Sequence, residues 1–155
     1  MKYLAVVGKV QGAPNYQGYF PDLEANIVAT GPSAAKVKDR LARSLGEYLH
    51  EVPDAPAPKA GSLADLPDDE LEGLEGAEAA LIEPLELNPV SLEVARAIRA
   101  SGLTQVELAS RMGTGQAAVW RLTDPFYWGH SLDSLRRLAI AMGKGVEVRF
   151  TGEAA

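Results

Sequence analysis

The sequence predicts an α+β protein of two modules: a small N-terminal β-sheet with one helix, joined to a C-terminal helical module that ends in a strand. Three observations predict it. Residues 3–30 hold short runs rich in β-branched and aromatic residues, separated by Gly, Pro and Asn. From Ser33, and again from Asn88, the apolar residues recur at spacings of three and four, the period of helices. Between these regions, residues 52–67 (VPDAPAPKAGSLADLP) are too rich in Pro and Ala to sustain one regular element.

Each element has a local reason. The run YLAVVGKV over residues 3–10 reads as a strand, and QGAPN supplies a hairpin turn before a second strand over residues 16–20. Pro21 stops that strand because it has no N–H for a ladder. Residues 26–30 give a third strand, broken by Gly31 and Pro32. Ser33 is an N-cap for a helix reaching about Leu49, with Val37, Leu41, Leu45, Tyr48 and Leu49 at helical spacing and Lys36, Arg40 and Arg43 on another, solvated face.

Residues 52–78 are expected to be a Pro- and acid-rich linker or excursion, and across its end Leu71, Leu74 and Leu81 offer a frail helix weakened by Gly73 and Gly76. Residues 79–87 (AALIEPLEL) read as a fourth strand. The partition is then 1–87 and 88–155. Asn88-Pro89 opens a helix that Gly102 ends. Ser131 caps another through Met142, and Val146, Val148 and Phe150 alternate with Glu147, Arg149 and Thr151 as a half-buried terminal strand. Pairing that strand with a twin would satisfy its edges, so a homodimer or higher homo-oligomer is expected.

The 155 residues carry a formal net charge of -6, distributed unevenly. Residues 1–87 hold 7 Lys+Arg against 15 Asp+Glu, a balance of -8, and residues 88–155 hold 8 against 6, a balance of +2. The acidic front half would steer a basic partner into contact; the basic excess has the sign that phosphate contact needs. The chain has no cysteine, hence no disulfide framework and no thiolate metal site. The apolar run of MKYLAVVGKV is too short for a signal peptide or a membrane span, and a cytoplasmic protein without membrane contact is expected.

Residues 103–122, LTQVELASRMGTGQAAVWRL, carry the sharpest motif. Thr104 and Glu107 form a Thr-x-x-Glu capping box, Leu108 and Met112 share an inner face with small Ala109 between, and Gly113 permits a left-handed turn. Thr114 is then available to cap a second helix. On that helix Val119 and Leu122 share one side, and Gln116, Ala117, Trp120 and Arg121 spread over the opposite arc.

This stretch resembles the helix-turn-helix of the Cro/repressor family at Gln105, Leu108, Ala109, Gly113, Val119 and Leu122, with Thr114 and Gly115 departing from the usual pattern. The resemblance implies that the second helix lies in the major groove of double-stranded operator DNA. Arg121 is the candidate for a bidentate guanine contact and Gln116 for adenine. Trp120 packs on a thymine methyl or serves a dimer or core contact. Gln105 would sit over a phosphate. Thr114 and Ala117 complete the candidate DNA-binding set. Arg111, Arg136 and Arg137 read as solvated surface, and Phe126, Tyr127 and Trp128 as a small packed cluster.

The front half is similar to the N-terminal domain of HicB-type antitoxins at Tyr19-Phe20-Pro21-Asp22-Leu23, at the Thr30-Gly31 step into a helix and at LGEYLHE over residues 45–51. The segment Ala118-Val119-Trp120-Arg121-Leu122-Thr123-Asp124-Pro125 looks like the recognition-helix exit of the branch of that family with a Cro-like module. The resemblance implies a partial ribonuclease-H-like front domain that occludes a small basic HicA-type toxin, an mRNA-cleaving ribonuclease, and a C-terminal domain that represses the operon.

No catalytic, cofactor or metal constellation is expected. Asp22 and Glu24 could share one face of a strand, but the sharp Pro-Asp-Leu turn explains the aspartate, and His50 and His130 stand far apart in charged or aromatic settings. Two other readings share the same elements: a stand-alone helix-turn-helix regulator whose front domain binds a ligand or protein, and a nuclease acting through front-domain carboxylates.

Overall fold

The computed structural model describes residues 1–152, which divide into two compact units, Met1–Glu86 and a second that begins at Leu87. The architecture is mixed α+β, a four-stranded antiparallel sheet and five α-helices.

In the first unit the strands are β1 (Tyr3–Val10), β2 (Tyr16–Tyr19), β3 (Val28–Gly31) and β4 (Leu74–Ile82), ordered β3-β2-β1-β4. Helix α1 (Ala34–Glu51) starts where Ser33 accepts a hydrogen bond from the Lys36 N–H at 3.2 Å. It packs on one face of the sheet: Tyr3, Ala5 and Val7 of β1 bury Val37, Leu41 and Leu45 of α1. Gly18, paired with Val7, lies on this face because a Cβ there would come within 2.8 Å of Val37 and 2.9 Å of Leu41.

Leu4 and Val6 point to the other face and are equally buried. The segment after α1 is tied to this unit by side-chain hydrogen bonds. The Tyr3 hydroxyl donates to the Pro56 carbonyl at 3.1 Å, Asp22 accepts the N–H groups of Lys59 and Ala60 at 2.7 Å each, and the Tyr19 hydroxyl donates to the Glu70 carbonyl. Tyr19 is the cross-strand partner of Val6, so that last bond brings the excursion over the back face. Burial first, then hydrogen bonding to Glu70 and the charges of Glu70 and Asp69, push the Tyr19 phenol up to about 12.

Three expectations are corrected in this region. Of the linker or excursion expected over 52–78, residues 52–73 form an excursion with short 3-10 turns at Leu63–Asp65 and Asp68–Leu71, but it ends earlier, because Leu74 already belongs to β4. The frail helix does not form. The fourth strand begins five residues earlier than expected and ends before Pro84. The reason is Gly76. Between the pairs Val7↔Glu78 and Lys9↔Glu75 the strand β4 holds one residue more than β1, and Gly76 at φ 60° supplies the positive φ that such a bulge requires. A glycine that weakens a helix is thus the residue that lets this strand keep pairing.

The second unit holds α2 (Pro89–Ser101), α3 (Gln105–Met112), α4 (Gln116–Thr123) and α5 (Leu132–Ala141). Asn88 caps α2 by accepting the Val90 N–H at 2.9 Å, and Gly102 closes it at φ 71°. Ser131 caps α5 by accepting the Ser134 N–H at 3.0 Å. Val94 and Ile98 of α2 meet Leu108 and Ala109 of α3, Val119 and Leu122 of α4, and Leu138 and Ala141 of α5 in one core.

The terminal strand is the fourth correction. Among the described residues no ladder forms along 146–150, and Val146, Val148 and Phe150 are exposed rather than half-buried, Phe150 by 96%. Alternation can specify a strand, but a strand needs a neighbouring edge, and the described residues of this unit offer none.

Candidate nucleic-acid interface

Local chemistry sets α3 and α4. The Thr104 hydroxyl accepts the Glu107 N–H at 3.1 Å while the Thr104 N–H donates to the Glu107 carboxylate at 2.7 Å, a reciprocal capping box. These Thr104 bonds, the backbone one first, hold the exposed Glu107 carboxyl below the usual carboxylate range. At the other end Gly113 takes φ 65°, its N–H bonds to Ser110 at 3.2 Å, and the Thr114 N–H reaches the Ala109 carbonyl at 3.0 Å.

That last bond corrects the role expected for Thr114. It belongs to the exit of α3, and the N-cap of α4 is Gly115, which has no side chain to offer the first N–H groups. Thr114 is half-buried and lines, with Arg121 and Arg137, a cleft of about 170 Å³ beside α4.

On α4 the burial pattern divides the helix cleanly. Val119 and Leu122 are buried, and Gln116, Ala117, Trp120 and Arg121 are all exposed. At 100° per residue those four lie within an arc of about 140°. Trp120 is 56% exposed, which removes the core contact that its size permits and leaves an indole facing solvent. Gln105, the first residue of α3, is half-buried and separate from this arc.

The supports of α4 include groups that sequence reasoning passed over. Arg111 of α3 donates to the Ala141 carbonyl at 3.0 Å, and Arg137 of α5 donates to the Met112 carbonyl at 3.0 Å. Each of these arginines thereby satisfies the C-terminal end of the other's helix, where carbonyls lack partners and the dipole favours a cation. Reading both as solvated surface missed a contact that depends on how α3 and α5 pack. All four arginines, Arg111, Arg121, Arg136 and Arg137, are exposed.

The aromatic run is split in the same way. Tyr127 packs against the four-helix core with its ring centroid 5.0 Å from that of His130, while Trp128 stays 56% exposed and outside the expected cluster.

Among the described residues no group of three or more His, Asp or Glu is placed to hold a metal ion. Asp22, the strongest carboxylate candidate in the front unit, is engaged by the Lys59 and Ala60 amides rather than by a turn of its own. No described helix is long and apolar enough to cross a membrane. No protein-family model matches the chain, and no curated protein matches it.

Proposed function

We propose that this protein is a two-module antitoxin of a type II toxin-antitoxin pair, whose α3 and α4 form a helix-turn-helix that reads operator DNA and whose front unit is a partial ribonuclease-H-like domain of the HicB type. The observation that carries the DNA reading is the exposed arc of Gln116, Ala117, Trp120 and Arg121, backed by buried Val119 and Leu122. The arc holds an indole and a guanidinium in water beside an N-terminus that has no side-chain cap. Main-chain donors at a helix start suit a phosphate, and Arg121 and Gln116 suit base edges.

The front unit supports the second half of the reading. Its acidic excess concentrates on the excursion and on β4, where Asp68, Asp69, Glu70, Glu72 and Glu75 are all exposed. Such a surface favours a small basic toxin of the HicA type, held by occlusion, which asks for no catalytic group in this chain.

The experiment has two arms. In a gel shift on DNA from upstream of its own gene, Arg121→Ala is expected to lose about 1–3 kcal/mol of binding and to relax preference at one operator position. Equal loss on every sequence tested reduces Arg121 to a phosphate contact. In the second arm, co-expression with the small basic protein encoded next door is expected to give a stable complex and to relieve its toxicity. A neighbouring frame that encodes no such protein turns the reading toward a stand-alone regulator.

A further inference from the structure

Between α4 and α5 lies a cleft of about 170 Å³ with an apolar floor. Two guanidinium groups, Arg121 of α4 and Arg137 of α5, and the hydroxyls of Thr114, Tyr127 and Ser134 stand around it, with no carboxylate among its walls. We propose that this cleft is a seat for a phosphate group.

Charge decides that the occupant is an anion. Neither Arg121 nor Arg137 has a carboxylate partner among the described residues, so two like charges share one opening without a counter-charge. An anion between them replaces that repulsion with two attractions. Geometry decides that the anion is tetrahedral. The donors arrive from three parts of the chain: Thr114 in the turn between α3 and α4, Arg121 on α4, and Ser134 and Arg137 on α5. A planar carboxylate accepts within one plane, whereas the oxygens of a phosphate point in separate directions and suit forked guanidinium donors.

The seat has one fixed member. Arg137 donates to the Met112 carbonyl at 3.0 Å, which holds its guanidinium at the rim and leaves its remaining N–H groups for a ligand. Ser134 accepts the Ser131 hydroxyl at 2.8 Å and keeps its own proton to donate. Tyr127 spends its proton on the Gly129 carbonyl at 3.0 Å and serves as a wall. The cleft lies beside the exposed arc of α4, and where that arc reads operator DNA the phosphate is one of the duplex backbone, bordering the groove. That source rests on the proposed reading of DNA; the seat itself does not.

Inorganic phosphate tests the seat without DNA. Titrated into the isotope-labelled full chain and followed by NMR, it is expected to give saturable shifts at the Thr114 and Ser134 amides and at Arg137 Nε that chloride at equal ionic strength does not give. Arg137→Gln is expected to weaken this binding about tenfold, the worth of one charge-assisted hydrogen bond. Arg136→Gln removes the same charge from the neighbouring residue, which lines a different crevice, and is expected to stay within about twofold of the parent. Ser134→Ala leaves both arginines in place and is expected to weaken binding with the rest of the spectrum unmoved. Equal weakening by Arg136→Gln and Arg137→Gln, or shifts that chloride reproduces, reduces the cleft to a diffuse positive field and overturns the seat.

A gel shift identifies the source. If the phosphate belongs to DNA, Arg137→Gln weakens binding to operator and unrelated DNA alike and lowers the salt slope of binding by about 1. Phosphate shifts in a protein that binds no DNA keep the seat, assign it a free phosphate and remove the DNA reading. DNA binding with the parent salt slope in Arg137→Gln, together with no phosphate shifts, keeps the DNA reading and overturns the seat.

Discussion

The Nε2 of His130 stands 2.8 Å from the carbonyl oxygen of Leu122, tying the segment before α5 to the last turn of α4. Its other nitrogen is 3.3 Å from the Asn88 side-chain amide. Asn88 cannot turn that amide over, because its Oδ1 accepts the Val90 N–H at 2.9 Å and its Nδ2 donates to the Tyr127 carbonyl at 2.9 Å. Nδ1 is therefore the acceptor and Nε2 carries the proton, a tautomer assigned by the network. Ser91, fully buried, completes it with a 3.3 Å bond to the Tyr127 carbonyl.

His130→Ala is expected to destabilise the second unit by about 1–3 kcal/mol, the cost of leaving partly buried polar groups without a partner. Urea denaturation followed by tryptophan fluorescence measures it, since Trp120 and Trp128 both lie in this unit. A midpoint equal to that of the parent protein would show that water replaces the imidazole without loss.

Gly18 sits where β2 passes beneath α1. A Cβ at this position meets Val37 at 2.8 Å, Leu41 at 2.9 Å and the Val6 carbonyl at 3.1 Å, and both side chains are fully buried with little room to withdraw. Gly18→Ala is expected to cost about 1–3 kcal/mol by overpacking. Gly115→Ser is the contrasting change: nothing lies within 4 Å, φ is -83°, and the hydroxyl gives α4 the cap it lacks. A gain of a few tenths of a kcal/mol in chemical denaturation is expected.

Asp22→Ala removes the acceptor of two 2.7 Å amide bonds and is expected to release the excursion while leaving the sheet paired. Hydrogen exchange at the Lys59 and Ala60 amides should accelerate, and limited proteolysis should cut sooner between residues 55 and 62. Unchanged exchange at those two amides would mean that Tyr3 and Tyr19 hold the segment without Asp22.

Glu107 links pH to the start of α3. Because the Thr104 bonds lower its pKa in the folded protein, its contribution is complete above the unfolded value and is lost as pH falls through the lower folded value. An NMR titration of the carboxyl carbon between about pH 6 and pH 3 should find a midpoint below that of a free glutamate. Thr104→Ala should return the midpoint toward the ordinary range.

The five α-helices, and their ends apart from the start of α4, were legible in the sequence because the groups that start and stop a helix lie within a few residues of each other. Ser33, Asn88, Thr104 with Glu107, and Ser131 cap as expected, and Gly102 and Gly113 take the left-handed conformation that their positions demand. The arc on α4 was legible for the same reason, since a fixed rotation per residue assigns faces once Val119 and Leu122 are placed inside.

Only the tertiary structure decided the features that depend on residues distant in the chain. Tyr3 to Val7 of β1 are apolar and buried on both faces, and the Tyr19–Glu70 bond brings a segment whose composition reads as a linker to the second face. Gly76 is a bulge because β4 pairs with β1 across more than sixty residues of sequence. Arg111 and Arg137 became helix caps, and His130 became a clasp, through contacts that no local spacing encodes. The terminal run shows the limit from the other side: alternation determined that residues 146–150 can be a strand, but a strand is a relation between two edges, and one folded chain supplies only the first.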